Sequence, residues 1–311
     1  MQDHIVKAEK LAKTFDKNVA LNSIDLNIPK GKIFGLLGPN GAGKTTFIRL
    51  ITQIFSPDSG QLFFDGQPLS KSNIYDIGYM PEERGLYKKM KVGEQLVYLS
   101  QLRNLSAKEA RNRIKHWFEK FEIEDWWTKK VEELSKGMQQ KIQFVATVIH
   151  DPKLLILDEP FSGLDPVNTN LITNEINELQ KKGTSIVFST HRMEQVEQIC
   201  EDIVLINKGN IVLEGSVADI KNQFKANHYL IQFEGQLTPE NIPRGFKLLD
   251  QQEKTLKFEL TDHQNSNELI RALINHQVEI HGVTEILPSL NEIFINEVKK
   301  KFIHQNDLKD E

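Results

Sequence analysis

The sequence predicts an α/β fold, a mixed sheet core with an antiparallel β part and a helical insert, followed by a small α+β domain. Three features carry that prediction. The stretch Gly38-Pro-Asn-Gly-Ala-Gly-Lys-Thr-Thr46 lies between a short apolar run, Lys32–Leu37, and the segment Thr46–Phe55, whose apolar residues fall at helical spacing. That is strand, glycine loop, helix. Two further runs, Leu154–Asp158 and Thr184–Thr190, are rich in apolar residues, as in parallel strands buried on both faces. From about Phe224 the rhythm changes, and Tyr229, Ile231 and Phe233 alternate with polar residues. The chain therefore divides into a larger domain over 1–222 with a helical insert at about 88–150, an α+β domain over 223–300 and a charged tail over 301–311.

Taken in order, Ile5–Leu11 and Ala20–Ile28 are candidate strands, with Phe15 in the loop between them, and Pro29-Lys-Gly31 turns the chain into the strand before the glycine loop. After the first helix, Ser56-Pro-Asp-Ser-Gly60 signals a turn, Gln61–Gly66 a strand, and Asp76–Tyr87 a strand running into a loop. From Val92 to Phe121 the texture is helical, with Ser106 and Glu109 forming a capping box. Trp117, Phe118, Phe121, Trp126 and Trp127 read as a small local core, an aromatic groove for a partner helix being the alternative. Ser135 is the N-cap of a helix running through Ile142, Phe144, Val145 and Val148. Asp165 caps, and Pro166 starts, a helix that stops at Gly183. Ile203–Ile206 and Ile211–Glu214 read as a hairpin. Its turn has Asn210 where the guanine-reading N-K-x-D pattern has Asp, so nothing there selects GTP. Farther on, Leu256–Leu260 alternates, Leu269, Ile270, Leu273 and Ile274 have helical spacing, and Val278–Ile280 and Pro288–Val298 complete the α+β unit, which holds no cluster of catalytic residue types.

Bulk properties narrow the function. A net charge of -4 and a pI near 6.2 argue against a whole-chain nucleic-acid binder. No apolar run approaches the roughly 20 residues that span a bilayer, and Met1–Val6 lacks the basic and apolar regions of a secretion signal. The single Cys200 excludes an internal disulfide, fits a reducing cytoplasm, and reads as a packed residue rather than a reactive thiol.

Residues 38–45 fit the phosphate-loop pattern G-x-x-x-x-G-K-[ST] at Gly38, Gly43, Lys44 and Thr45, in the strand–loop–helix context which that chemistry requires. Glycines at 38, 41 and 43 let the backbone turn tightly and aim N–H groups at a polyphosphate, assisted by the positive end of the following helix. Lys44 would reach the terminal phosphates and the Thr45 hydroxyl would hold Mg²⁺. Asp158 and Glu159 end a buried strand at the carboxyl edge of the sheet, where such sheets bind ligands. Asp158 is suited to hold Mg²⁺ through its water shell, and Glu159 to polarise an attacking water. His191 stands at the end of the next strand, on the same edge.

Together these motifs resemble the ATP-binding cassette family, specifically the nucleotide-binding subunits of transporters. The likeness covers roughly His4 to Ser216. It rests on five motifs in order: the phosphate loop, the signature Leu134-Ser-Lys-Gly-Met-Gln139, the strand ending in Asp158-Glu159, Ser162-Gly-Leu-Asp165, and His191. The resemblance implies a phosphate-loop NTPase cassette that hydrolyses ATP with Mg²⁺. Phe15 would stack on the base, while Gly38, Pro39, Asn40, Gly41, Ala42, Gly43, Lys44, Thr45 and Thr46 would bind the nucleotide. Glu159, His191 and Lys44 would act in catalysis, with His191 at the γ-phosphate. Ser135, Lys136, Gly137, Met138 and Gln139 would serve the ATP held by a partner protomer, and Asp165 would face that protomer. One phosphate loop and one signature therefore imply a second copy, or a related cassette, and two composite sites.

Where the family often has glutamine after Tyr-x-Pro, this chain has Tyr79-Met-Pro-Glu82, a carboxylate that can also ligate Mg²⁺ but adds negative charge near the γ-phosphate. Pro81-Glu-Glu-Arg-Gly-Leu-Tyr87 and the Pro288-Ser-Leu-Asn-Glu-Ile-Phe294 helix resemble the efflux-type branch. That likeness implies a subunit on the cytoplasmic, inner face of a membrane that powers export through a separate membrane-spanning permease, without nucleic acid. Trp117–Trp127 and the loop Glu82–Tyr87, including Arg84, are the expected docking surface. The alternative is a cassette ATPase acting on nucleic acid or the ribosome. Against it stand the absence of a coiled-coil insertion between Lys44 and Ser135 and the presence of one cassette rather than two.

Overall fold

Alternating burial along the first strands decides how they pair. β1 (His4–Phe15) and β2 (Asn18–Pro29) run antiparallel and turn Val6, Ala8, Ile24, Leu26 and Ile28 toward one core. β4 (Ser59–Phe64) and β5 (Gln67–Pro68) extend this sheet in the order β2-β1-β4-β5. Phe15 is the last residue of β1, paired with Asn18, and so does not lie in the loop expected for it. The computed structural model describes residues 3–83, 85–235, 246–260, 266–275 and 278–297, and the chain divides into two units, Met1–Val217 and Ala218–Glu311.

The second sheet of the first unit has the order β10-β9-β3-β8-β7-β6. Its strands are β3 (Ile33–Leu37), β6 (Ile77–Met80), β7 (Leu154–Asp158), β8 (Ser185–Thr190), β9 (Asp202–Asn207) and β10 (Asn210–Ser216). Neighbours from β6 to β9 pair in parallel, and only β10 runs antiparallel. β3, β7 and β8 are buried at every position, which is why they read as runs rich in apolar residues. α1 (Lys44–Ile51) contributes Phe47, Ile48, Leu50 and Ile51 to the core shared by the two sheets. α5 (Pro166–Lys181) and α6 (Met193–Ile199) pack on the parallel strands. Cys200 is buried at the end of α6, and burial pushes its thiol far above the ordinary range, which suits packing rather than reactivity.

The helical insert consists of α2 (Val92–Gln101), α3 (Ala107–Phe121) and α4 (Lys136–Val148). Ser106 and Glu109 close the expected capping box, Ser106 N–H donating to Glu109 Oε2 at 3.0 Å and Glu109 N–H to Ser106 Oγ at 3.2 Å. Trp117 packs edge-on against Phe121 and Phe144, with ring centroids 5.4 and 6.0 Å apart, and Phe118 meets Trp127 at 5.8 Å. The aromatics form a local core.

α7 (Val217–Gln223) leads into the second unit, a four-stranded antiparallel sheet of order β12-β13-β11-β14. These strands are β11 (His228–Glu234), β12 (Phe246–Gln252), β13 (Thr255–Leu260) and β14 (Glu279–Ile286). Leu269 and Leu273 of α8 (Ser266–Asn275) close its core over Ile231, Phe233, Leu256 and Phe258. A helix over 290–297 follows, where Ser289 and Glu292 repeat the capping-box pattern. β12 was not expected from the sequence, and the charged tail 301–311 lies outside the described residues.

Candidate nucleotide site

The parallel strands of the first unit end at one edge, and the candidate residues gather there because each follows a strand. β3 runs into Gly38, whose φ of 147° and whose missing Cβ, which would lie 2.1 Å from the Ile206 carbonyl oxygen, leave room for no other residue. Gly43 caps α1 at φ 117°, where a Cβ would meet the Ala20 carbonyl oxygen at 2.5 Å. The loop is pinned between strands, Gly209 N–H donating to Ala42 O at 2.9 Å and Asn22 N–H to Gly209 O at 2.8 Å. The first N–H groups of α1 precede its first i→i−4 bond and face out of the helix end together with the positive end of its dipole.

Phe15, Asn40, Gly41, Ala42, Gly43, Lys44, Thr45, Thr46, Glu82, Asp158, Glu159 and His191 line one cleft of about 330 Å³, with Asn18 and Ala20. Lys44 is buried, its ammonium donating to the carbonyls of Gly38 at 2.6 Å and Pro39 at 3.2 Å. Gly38 and Pro39 thus contribute to the loop's shape rather than to the lining. Burial lowers the Lys44 pKa, and the carboxylates of Asp158, Glu159 and Glu82 oppose that shift.

Asp158, at the end of β7, is buried and accepts from Ser189 Oγ at 2.8 Å. Burial raises its pKa, with Glu159 and Glu82 adding to the rise and Ser189 and Lys44 opposing it. The same burial, reinforced by Asp158, pushes Tyr79 up to about 12. Glu159 takes the left-handed backbone region at φ 50°. Its carboxylate is held from β8, accepting from Thr190 Oγ1 at 3.0 Å and the His191 N–H at 2.8 Å, with His191 Nδ1 at 2.7 Å. Ser189 and Thr190 were missed by sequence reasoning, although two hydroxyls directly before His191 were the available signal.

Phe15 is partly exposed, its ring edge-on to Phe55 at 5.1 Å and its face near Lys13 Nζ at 5.5 Å. Ser135, Lys136, Gly137, Met138, Gln139 and Asp165 stand apart from the cleft lining. Ser135 caps α4 by accepting from the Met138 N–H at 3.3 Å, and Gln139 turns its amide inward to the carbonyls of Val131 and Leu134. Asp165 caps α5, accepting from the Asn168 N–H at 2.9 Å. Gly137 lies beside Gly163 and Leu164, so signature and Ser162–Asp165 adjoin.

Donor chemistry in the cleft fits Mg²⁺. Among the described residues no three His, Cys, Asp or Glu side chains form a metal cage. Mg²⁺ asks for less, since it keeps several waters and takes one or two protein oxygens beside substrate phosphates. A buried carboxylate at Asp158 and an exposed hydroxyl at Thr45 supply such oxygens.

The chain matches the family profile described as ABC transporter over residues 21–162, and that of the ATP-binding protein DrrA1-3-like C-terminal domain over 215–298. It is 42% identical over 290 residues to the uncharacterized ABC transporter ATP-binding protein YhaQ of Bacillus subtilis (strain 168), covering 93% of this chain and 97% of that one. The chain belongs to the ABC transporter family. It is an ATP-binding, ATP-hydrolysing transporter subunit. The daunorubicin resistance ATP-binding protein DrrA3 of Streptomyces coeruleorubidus is 27% identical over 304 residues, covering 95% of this ABC subunit and 96% of its own length. A solved structure described as the ATP-binding subunit of an ABC transporter aligns with a TM-score of 0.66 at 29% identity, covering 71% of this chain and 93% of that one. ABC subunits of this kind dimerise and pair with membrane permeases, and no described helix here is long and apolar enough to cross a membrane.

Proposed function

We propose that the cleft binds Mg·ATP and that two copies close over two nucleotides to drive export through a separate membrane-spanning subunit at the inner face of a membrane. The supporting observation is the convergence of Lys44, Asp158, Glu159 and His191 on one cleft while Ser135 and Gly137 stand outside it. A protomer thus carries phosphate-binding groups and, elsewhere, a second set to offer a partner. Thr45 and Asp158 would hold Mg²⁺, with Glu82 beside them. The ion supplies neutralising charge at the phosphates.

Each protein group has a restricted task. The loop N–H groups and Lys44 hold the phosphates, and Phe15 offers a ring to the base. Glu159, fixed by Thr190 and His191, orients and accepts a proton from the attacking water. Ser135, at the head of α4, adds an N-terminal dipole and a hydroxyl to the partner's γ-phosphate. Glu159→Gln keeps the shape and loses the base. It is expected to bind ATP, accumulate as a dimer in gel filtration with ATP, and release phosphate at least about 100-fold more slowly; turnover at the parent rate would remove Glu159 from this role.

For the permease we propose a groove of about 360 Å³ beside the Glu82–Tyr87 loop, walled by Ile74, Leu86 and Leu102 and floored by Gln143 and His150. Gln143 Oε1 and both His150 ring nitrogens are buried without a hydrogen-bond partner. Burial, then Arg103, depress His150 to about 4, so the ring is neutral; the Ile77 backbone pulls the other way without completing a hydrogen bond. An apolar segment bearing donors suits this floor. Trp117 and Trp127, half-buried with their rings packed on Phe144 and Phe118, stay part of the proposed docking surface, and Arg84 lies outside the described residues.

A further inference from the structure

Glu159 and Glu82 share an unusual attachment. Each follows the end of a strand and adjoins a proline, Pro160 after Glu159 and Pro81 before Glu82. Proline carries no N–H, so the proline residue itself offers only its carbonyl to a backbone hydrogen bond. One helix takes both carbonyls. Gln140 Nε2 donates to Pro160 O at 2.8 Å, and Gln143 Nε2 donates to Pro81 O at 2.8 Å. Three residues apart, the two glutamines share a face of α4, and they are 2% and 4% exposed.

Packing alone does not account for them. A buried amide costs free energy unless its groups are bonded, so a helix built only to fill space would carry Leu or Met here. The bonds fall where the backbone needs holding. Glu159 combines φ 50° with a following proline, a conformation that persists only where its surroundings over-determine it. Its own N–H donates to Ser189 O at 2.8 Å and its carbonyl accepts from the Ser162 N–H at 3.1 Å, and Gln140 holds the next residue, Pro160, through its carbonyl. At Glu82 the carboxylate itself is exposed, and Gln143 ties down the peptide before it.

Resting on the ATPase reading above, we propose that Gln140 and Gln143 are positioning residues through which the helix headed by the signature sets the two carboxylates. Gln140 sets Glu159, and Gln143 sets Glu82. α4 is one 13-residue helix with Ser135 at its N-cap. A displacement of its signature end by a partner's nucleotide is therefore felt, through one amide each, at the water-orienting carboxylate and at the Glu82 carboxylate beside the residues that would hold the metal. The chain's own site is tuned by what its signature binds in the other copy.

Full-length protein carrying Gln140→Met or Gln143→Met keeps side-chain volume and loses the donor. Steady-state hydrolysis, titrated with ATP and separately with Mg²⁺, is expected to separate them. Gln140→Met lowers kcat about 10- to 100-fold with KM for ATP within about twofold of the parent, as for a displaced catalytic group. Gln143→Met raises the Mg²⁺ concentration for half-activation about 3- to 10-fold, with a smaller effect on kcat. If Gln140→Met does not accumulate as folded protein, Gln140→Asn, which keeps the amide and shortens its reach, is expected to show the same kcat loss. Parent-like kinetics in both variants overturns the proposal, as does a parallel fall in Tm and all kinetic parameters that does not distinguish the two. Failure of the parent itself to hydrolyse ATP would instead strike the ATPase reading.

Discussion

Gly93→Ala is expected to destabilise the protein, against the ordinary gain from replacing a helical glycine. Gly93 lies in the first turn of α2, and its φ is unexceptional, so alanine would normally gain up to about 1 kcal/mol there. An alanine Cβ would, however, lie 2.4 Å from Trp127 Cε2, 2.5 Å from Cδ2 and 2.7 Å from Nε1. These are atoms of a rigid ring, not the end of a flexible chain. The indole cannot retreat freely, since it packs on Phe118 and its backbone carbonyl accepts from the Gly93 N–H at 3.1 Å. Overpacking costs about 1–3 kcal/mol, and contacts this short against a rigid ring belong to its upper part, about 2–3 kcal/mol, which outweighs the propensity gain and leaves a net loss of about 1–2 kcal/mol. For a unit of this size that is a fall in Tm of about 2–8 °C, read by circular dichroism or urea titration. Trp127→Leu in the same chain removes the obstructing ring, so the alanine should cost less in that background, a coupling visible in a double-mutant cycle. An unfolding transition of Gly93→Ala at or above the parent's would show that the α2–Trp127 contact is looser than described.

Other perturbations test other links. Lys44→Ala removes both the loop's internal tether to Gly38 and Pro39 and the cation facing the phosphates, and should weaken binding of a fluorescent ATP analogue at least about tenfold; unchanged affinity would undo the phosphate-loop assignment. Lys120→Met breaks the link from α3 to Glu175 and Glu178 of α5, at 2.5 and 2.7 Å. Glu178 is half-exposed and matters little, whereas the Glu175 carboxylate is 8% exposed and is left unpaired, so urea denaturation should show a loss of about 2–3 kcal/mol, largely restored by Glu175→Gln. Gln95 is fully buried in α2 with neither amide atom bonded. Gln95→Met should raise stability by about 1 kcal/mol, and a lower urea midpoint would mean that the amide has a partner after all.

Much of the fold was readable because its signals are local. β3, β7 and β8 are buried at every position and rich in apolar residues since both faces of a parallel sheet are covered, and Ser106, Ser135 and Asp165 cap helices by bonds spanning three residues. Elements whose local signal is broken were misread. β1 and β2 meet through Asp16-Lys17, a turn with neither glycine nor proline in which Asp16 adopts φ 50°, so Phe15 looked like a loop residue. β12 escaped because its register shifts between Leu248 and Asp250. Leu248 and Leu249 are consecutive where that shift falls, so the two-residue alternation is lost in the sequence.

The candidate site divides along the same line. Gly38 to Thr46 is contiguous, so loop, lysine and hydroxyl arrive together, and Asp158-Glu159 announces itself as charge at the end of an apolar run. What fixes those groups is not contiguous. Ser189 and Thr190 reach Asp158 and Glu159 across 31 residues, and Gln140 and Gln143 reach Pro160 and Pro81 across 20 and 62. In the sequence those glutamines are only polar interruptions of a helix. Their meaning depends on which carbonyls the sheet brings beneath them, and both belong to prolines, which have no N–H of their own to be held by.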